Sequence, residues 1–143
     1  MNDAFVRRGR IALSCKGSHV LVHAAEKKAQ EMNVPVCIAV VDSGGELMAF
    51  SRMDEARTGS IEIALTKARS AARRRRPTGD EAGGDVVQAI RLGLASQLNV
   101  TGIGGGLPIV VDGQTLGAIG VSAGTTEEDI MIAQAGLDAF TNG

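Results

Sequence analysis

Two nearly uncharged, β-branched stretches each run into a glycine-bearing turn and come straight back, and this doubling restricts the fold more than any other feature of the chain. The first is "VCIAVVD" (36–42), followed by the turn "SGGE" (43–46) and the return "LMAFSRM" (47–53). The second is "LPIVVD" (107–112), joined through "GQ" (113–114) to "TLGAIGVS" (115–122). Connections this short hold only antiparallel neighbours, because a parallel pair needs a crossover of a dozen residues or more. The 36–42 run lacks a polar alternation, which predicts a central strand covered on both faces.

What covers those faces is legible from the helical periods. Residues 18–32 place Leu21, Ala25, Ala29 and Met32 on one face, with a start that can reach back to Ser14 across Gly17 and a stop at Asn33 and Pro35. Residues 59–76 carry an apolar stripe of Ile61, Ala64, Leu65, Ala68 and Ala72 and end before Pro77 and Gly79. A shorter helix is expected over 86–98 and a closing one over 127–140. The polar "TGDEAGGD" (78–85) reads as a mobile loop and "NVTGIGGG" (99–106) as a loop before the second hairpin. Helix, hairpin, two helices, hairpin, helix gives one α+β domain over residues 1–143, with helices layered on an antiparallel sheet, and not a doubly wound fold.

Composition removes whole classes of function. The 15 Lys and Arg against 16 Asp and Glu give a net charge of −1, so no global field draws nucleic acid or an anionic membrane. With no Trp, no Tyr and three Phe, the chain lacks the stacking platforms of single-strand binders. No apolar run approaches the roughly 18–20 residues of a membrane span, and the basic N-terminal stretch does not read as a signal peptide. The expectation is a cytoplasmic protein with no nucleic-acid or membrane partner. Cys15 and Cys37 form no metal or redox spacing, and Cys37 reads as a buried small hydrophobe.

Five motifs are candidates for chemistry. "GVSAGTTEED" (120–129) has no lysine to reach a phosphate, and its acidic first turn repels one; Thr126 and Asp129 at T-x-x-D spacing read as a capping box. "GIGGGLP" (102–108) precedes a strand rather than a helix, which excludes the dinucleotide fingerprint and leaves a close-packed or ligand-lining loop. "RRRR" (73–76) suits a helix C-terminus and a solvated face, with binding of an acidic partner or substrate as the functional alternative. Cys15, His19 and His23 recur every four residues, so His19 and His23 are candidate metal or haem ligands. Lys67 borders the apolar stripe of the second long helix and needs a carboxylate, with Asp42 and Asp54 at the first hairpin as candidates. The lysine is either half of a structural ion pair, or a pKa-tuned base or an anchor for a substrate carboxylate.

"VPVCIAVVDSGGELMAFSRMDEA", "SIEIALTKARSAA" and "GGGLPIVVDGQTLGAIGVSAGTTEEDIMIAQAG" together resemble the GlcG/HbpS-like family, the haem-degrading domain family that includes the C-terminal domain of PduO-type proteins. The likeness spans roughly residues 14–140, and its closing stretch is the most specific part. The resemblance implies a profilin-like or PAS-like layered domain with a five-stranded antiparallel sheet, the fifth strand hiding in 99–106. It also implies homo-oligomers, dimer or larger, haem or corrinoid binding, and service in catabolic operons, with breakdown of muconate-type acids in some relatives. On matching positions it directs attention to Arg52, Gly105, Gly106 and Asp129 as ligand-binding residues beside Asp42, Asp54 and Lys67. Three departures stand out: Glu46 where many members carry histidine, a more basic helix end, and Ala123 where glycine is usual, expected only to tighten the turn. Without that histidine, His19 and His23 are the only imidazoles available to haem.

Three functions remain open on this reading. The first is an oligomeric accessory protein binding a small carboxylate or a tetrapyrrole. The second is an enzyme on small organic acids using Lys67 and a carboxylate. The third is an assembly subunit.

Overall fold

A computed structural model describes residues 1–79, 86–97 and 99–143. The loop expected over 78–85 falls, from residue 80 on, outside the described residues. Helix α1 (Cys15–Met32) starts at Ser14, whose hydroxyl accepts from the Gly17 N–H, and ends at Asn33 in a left-handed cap. Gly17 does not break the helix. A side chain there would meet Phe140 and Leu13, so the glycine admits the last helix to the first.

Strands β1 (Cys37–Asp42) and β2 (Leu47–Arg52) form the first hairpin. Helix α2 (Ser60–Arg74) and the shorter α3 (Val86–Ala95) follow. Strands β3 (Gly106–Val111) and β4 (Gln114–Ser122) form the second hairpin, and α4 (Thr126–Asn142) closes the chain. The turn of the second hairpin is Asp112–Gly113, both at positive φ, rather than the expected Gly113–Gln114. Asp-Gly supplies the two left-handed residues that a tight hairpin requires, and Gln114 is thereby released into the strand.

The sheet is antiparallel in the order β2-β1-β4-β3, so the two hairpins meet through β1 and β4. It has four strands among the described residues, not five. Of the stretch 99–106, only Gly106 is part of a strand, as the first residue of β3. Cys37 pairs with Ser122 and Asp42 with Gly117, which gives the sheet two distinct ends. Both hairpin turns lie at the Asp42 end, whereas the connections to α2 and α4 leave from the Ser122 end.

Each face of β1 packs on different helices. Ile38 and Val40 join Ile109, Ile119 and Val121 against Leu21, Ala25, Ile132 and Ala133 of α1 and α4. Cys37, Ala39, Val41 and Ala118 face Ala64, Ala68, Ala71 and Ala72 of α2. The second face is made of small residues, so α2 comes very close. A Cβ on Gly120 would collide with the Ala64 carbonyl and lie 2.5 Å from the Ala68 nitrogen, and one on Gly106 would collide with the Lys67 carbonyl.

Arginines fasten the far end of α2. Arg69 Nε donates to the Gly45 carbonyl at 3.1 Å and Arg73 Nε to that of Gly44 at 2.9 Å. The start of the basic run is thus a clasp on the first hairpin, with Arg73 also 3.9 Å from Glu46, and not simply a solvated face.

Gly120→Ala tests the seating of α2. Gly120 is not at positive φ, so the cost is steric alone. Overpacking here should remove about 1–3 kcal/mol of stability, read from chemical denaturation. An unchanged midpoint would mean that α2 sits farther from β4.

Candidate functional site

Lys67 lies in the middle of α2 on the side pressed to the sheet, and its side chain is almost wholly buried (1% exposed). Glycine makes this possible. A Cβ on Gly105, which has a φ of 124°, would stand 2.9 Å from Lys67 Nζ and 2.7 Å from the Val121 carbonyl. The ammonium donates to that Val121 carbonyl at 2.8 Å and to Asp129 Oδ2 at 2.9 Å. Its carboxylate partner is therefore Asp129, and neither Asp42 nor Asp54. The reason is the direction of α2: Lys67 sits toward the Ser122 end of β4, where α4 begins, and Asp42 is at the other end of the sheet.

Asp129 is held from both sides. Its second oxygen, Oδ1, accepts from the Gly124 N–H at 3.0 Å. It is free for this role because the capping box is Thr125 with Glu128, one residue earlier than Thr126 with Asp129. Both spacings are present in "TTEED" and sequence alone does not separate them. Burial pushes the Asp129 carboxyl above its ordinary value, while the bonds from Lys67 and Gly124 pull against that.

Above this pair opens a cleft of about 370 Å³. Lys67 and Asp129 form its polar floor, Ser60 and Arg57 one wall, and Ile63 and Ile103 its apolar rim. Arg57 is steered by the loop, its Nη2 donating to the Ala123 carbonyl at 3.2 Å. Ala123 has a φ of 105°, a conformation that disfavours any residue with a Cβ, so an alanine at this position strains the turn rather than only tightening it. Helix α2 enters the cleft with no side-chain cap, leaving the positive end of its dipole toward the opening.

Of the lysine's three donors, two are committed and the third has no partner among the described residues. A buried cation with a spare N–H, an exposed guanidinium and the positive end of a helix dipole together suit a carboxylate, and Ile63 and Ile103 suit an apolar body.

The other candidates lie elsewhere. Asp42 accepts from the N–H groups of Gly44 and Glu46 and shapes the first hairpin. Asp54 and Arg52 are exposed near the end of β2 and line no described cleft. Gly105 and Gly106 pack beneath Lys67 instead of lining the opening. Arg57, Ser60, Ile63 and Ile103 escaped the sequence reading, because turn and surface residues carry no periodic signal of a common cleft.

Haem fits poorly. Its iron takes His, Cys, Met or Tyr as axial ligand, and neither described cleft contains any of these. His19 and His23 are exposed on α1 with ring centroids 6.2 Å apart, and Cys15 Sγ lies 4.0 Å from His19 Nε2. Among the described residues no three His, Cys, Asp or Glu side chains gather as a metal site. Both cysteines are free, and burial pushes the Cys37 thiol up. No described helix is long and apolar enough to cross a membrane.

The family model described as haem degrading protein HbpS-like matches residues 13–138. An uncharacterized 15.0 kDa protein in the dhaT-dhaS intergenic region of Citrobacter freundii is 41% identical over 125 residues, which cover 85% of this chain and 87% of that protein. Protein GlcG of Escherichia coli K12 is 40% identical over 114 residues, covering 79% and 83%. The crystal structure of a PduOC:heme complex superposes with a TM-score of 0.82 at 35% identity, covering 90% of this chain and 95% of that one.

Two measurements test the pair. Lys67→Met strands a buried carboxylate and should cost about 3–5 kcal/mol. Adding Asp129→Asn, which keeps an acceptor for Gly124, should restore much of it. The second measurement is a pH series. The folded chain holds the Asp129 proton more tightly than the unfolded one, so this group adds stability below about pH 3.9 and loses it as pH rises through the raised value. The stability of the wild type minus that of Asp129→Asn should fall across that window. A rising difference would show that Lys67 outweighs burial.

Proposed function

The chain belongs to the HbpS-like haem-degrading protein family, and on that premise we propose that it is a small-ligand-binding accessory protein whose ligand is a small organic carboxylate. The observation that carries this reading is the Lys67 N–H left without a partner among the described residues, at the buried floor of the Arg57-flanked cleft. A ligand carboxylate takes that donor and the Arg57 guanidinium, and its carbon chain lies along Ile63 and Ile103. The PduOC:heme relative supports a ligand-binding role in general. A haem or corrinoid ligand draws no support from the residues of this cleft. The proposal includes a cytoplasmic setting, a PAS-like or profilin-like scaffold, and self-association as a dimer or larger. Self-association is supported by Val87, Ile90 and Leu94, which expose one apolar side of α3.

One observation favours a second reading, an enzyme acting on small organic acids. Asp129 combines a raised carboxyl pKa with a lysine neighbour and an opening to solvent, the pattern of a tuned acid–base group. Lys67 and Asp129 would carry it, in place of Asp42 and Asp54.

Calorimetric titration with short mono- and dicarboxylic acids, and with their neutral amides, tests the leading reading. The acids should bind and the amides should not. Arg57→Gln should weaken the acids by about ten-fold, the size of one charge-assisted hydrogen bond, at an unchanged melting temperature. Equal binding of acid and amide, or indifference to Arg57→Gln, would sink the proposal. Turnover of a bound acid, lost in Asp129→Asn, would favour the enzyme.

A further inference from the structure

A larger cleft of about 680 Å³ lies at the opposite end of the sheet, where the two hairpins turn. We infer that this cleft is a separate binding site for a small multivalent anion, one carrying several phosphate or carboxylate groups. Its lining includes Arg7, Arg8, Arg10 and Arg75, with Ser43 and Gln114 between them, and contains no acidic residue. The chain as a whole has one more acid than base, so four arginines around one opening do not reflect a generally basic protein.

The arginines are brought there by specific bonds. Residues 6–14 have no regular secondary structure, yet they are fixed across the second hairpin by one side chain. Gln114 Oε1 accepts from the Ile11 N–H at 3.2 Å, and Gln114 Nε2 donates to the Gly9 carbonyl at 2.9 Å. This two-point clamp spans more than a hundred residues of sequence and sets Arg8 and Arg10 on either side of Gly9 at the rim. Arg75 arrives from the other side. It caps α2 in the left-handed conformation with a φ of 61°, where glycine is the usual residue, and so turns away from the helix axis toward the opening.

Among the described residues these charges are largely unanswered. Arg8 has an exposed contact with Asp3 at 3.3 Å. No carboxylate among the described residues lies within ion-pair distance of Arg7, Arg10 or Arg75. Like charges gathered by a clamp repel one another, and a bound anion relieves this. All four are arginine, whose planar fork binds phosphate and carboxylate in bidentate fashion. A volume many times that of a water molecule, about 30 Å³, accommodates an anion with several charged groups. This site is independent of the carboxylate cleft, which shares none of its lining residues.

The test is calorimetric titration of the full chain, at fixed ionic strength, with inorganic tripolyphosphate and separately with citrate; orthophosphate serves as the single-group control. At least one multivalent anion should bind more tightly than orthophosphate, and which one does so assigns phosphate or carboxylate chemistry. Arg10→Gln and Arg75→Gln should each weaken that anion about ten-fold. Gln114→Ala keeps every charge but releases the segment, and it should weaken binding too. Lys27→Gln, an equal loss of charge on the exposed side of α1, should not. Melting curves confirm that each variant is folded. No binding of either multivalent anion at millimolar concentration overturns the inference. So does a loss in Lys27→Gln equal to that in Arg75→Gln, which would mean diffuse charge attraction only.

Discussion

Helix α2 seats directly on glycine backbone, and the arrangement of the rest follows from that. With Gly106 and Gly120 beneath it and mostly alanines around them, the helix comes so near the sheet that this face is packed largely with small residues. The bulky apolar residues are consequently gathered on the other face, under α1 and α4. A long side chain in the α2 layer has to run sideways to find space. Lys67 does this, and the missing Gly105 side chain is the space it finds. Once there, its charge is tolerable only because the Val121 carbonyl and Asp129 are waiting. A packing requirement and a polar site are thus the same feature.

The antiparallel order gives the sheet a polarity that each strand alone lacks. One end collects both hairpin turns and the other collects the departures into α2 and α4. The starts of α2 and α4 accordingly belong to the Ser122 end, and α2's arginine-rich finish belongs to the hairpin end. Fifteen residues of α2 at about 1.5 Å each connect the two.

Much of this was legible in the residues. The apolar 36–42 run and the two turns fixed the antiparallel hairpins, and the alanine stripe of α2 marked the helix that covers one face. Lys67 stood out because a lysine beside such a stripe needs an explanation. Its partner did not stand out, since a contact across 62 residues leaves no spacing to read. The nearer acids at the first hairpin looked equally suitable until the direction of α2 was known. The turn at Asp112–Gly113 was missed by one residue because Gly-Gln is also acceptable turn chemistry, and the same one-residue ambiguity hid the Thr125–Glu128 cap. The fifth strand came from family likeness alone, and the glycines of 102–106 are used instead for close approach. Nothing periodic in the sequence links Arg57, Ser60 and Ile103, which meet only when three connections converge.

The tight seat of α2 has a consequence for how such a protein changes over generations. Communication between distant sites requires an element with two stable positions for each site to bias. A helix lodged against glycine backbone, and clasped to Gly44 and Gly45 at its far end, has little room to take a second position. The two ends of the sheet also share no cleft-lining residue. Selection can act on either end of the sheet without renegotiating the other, so the scaffold persists while its surfaces diverge.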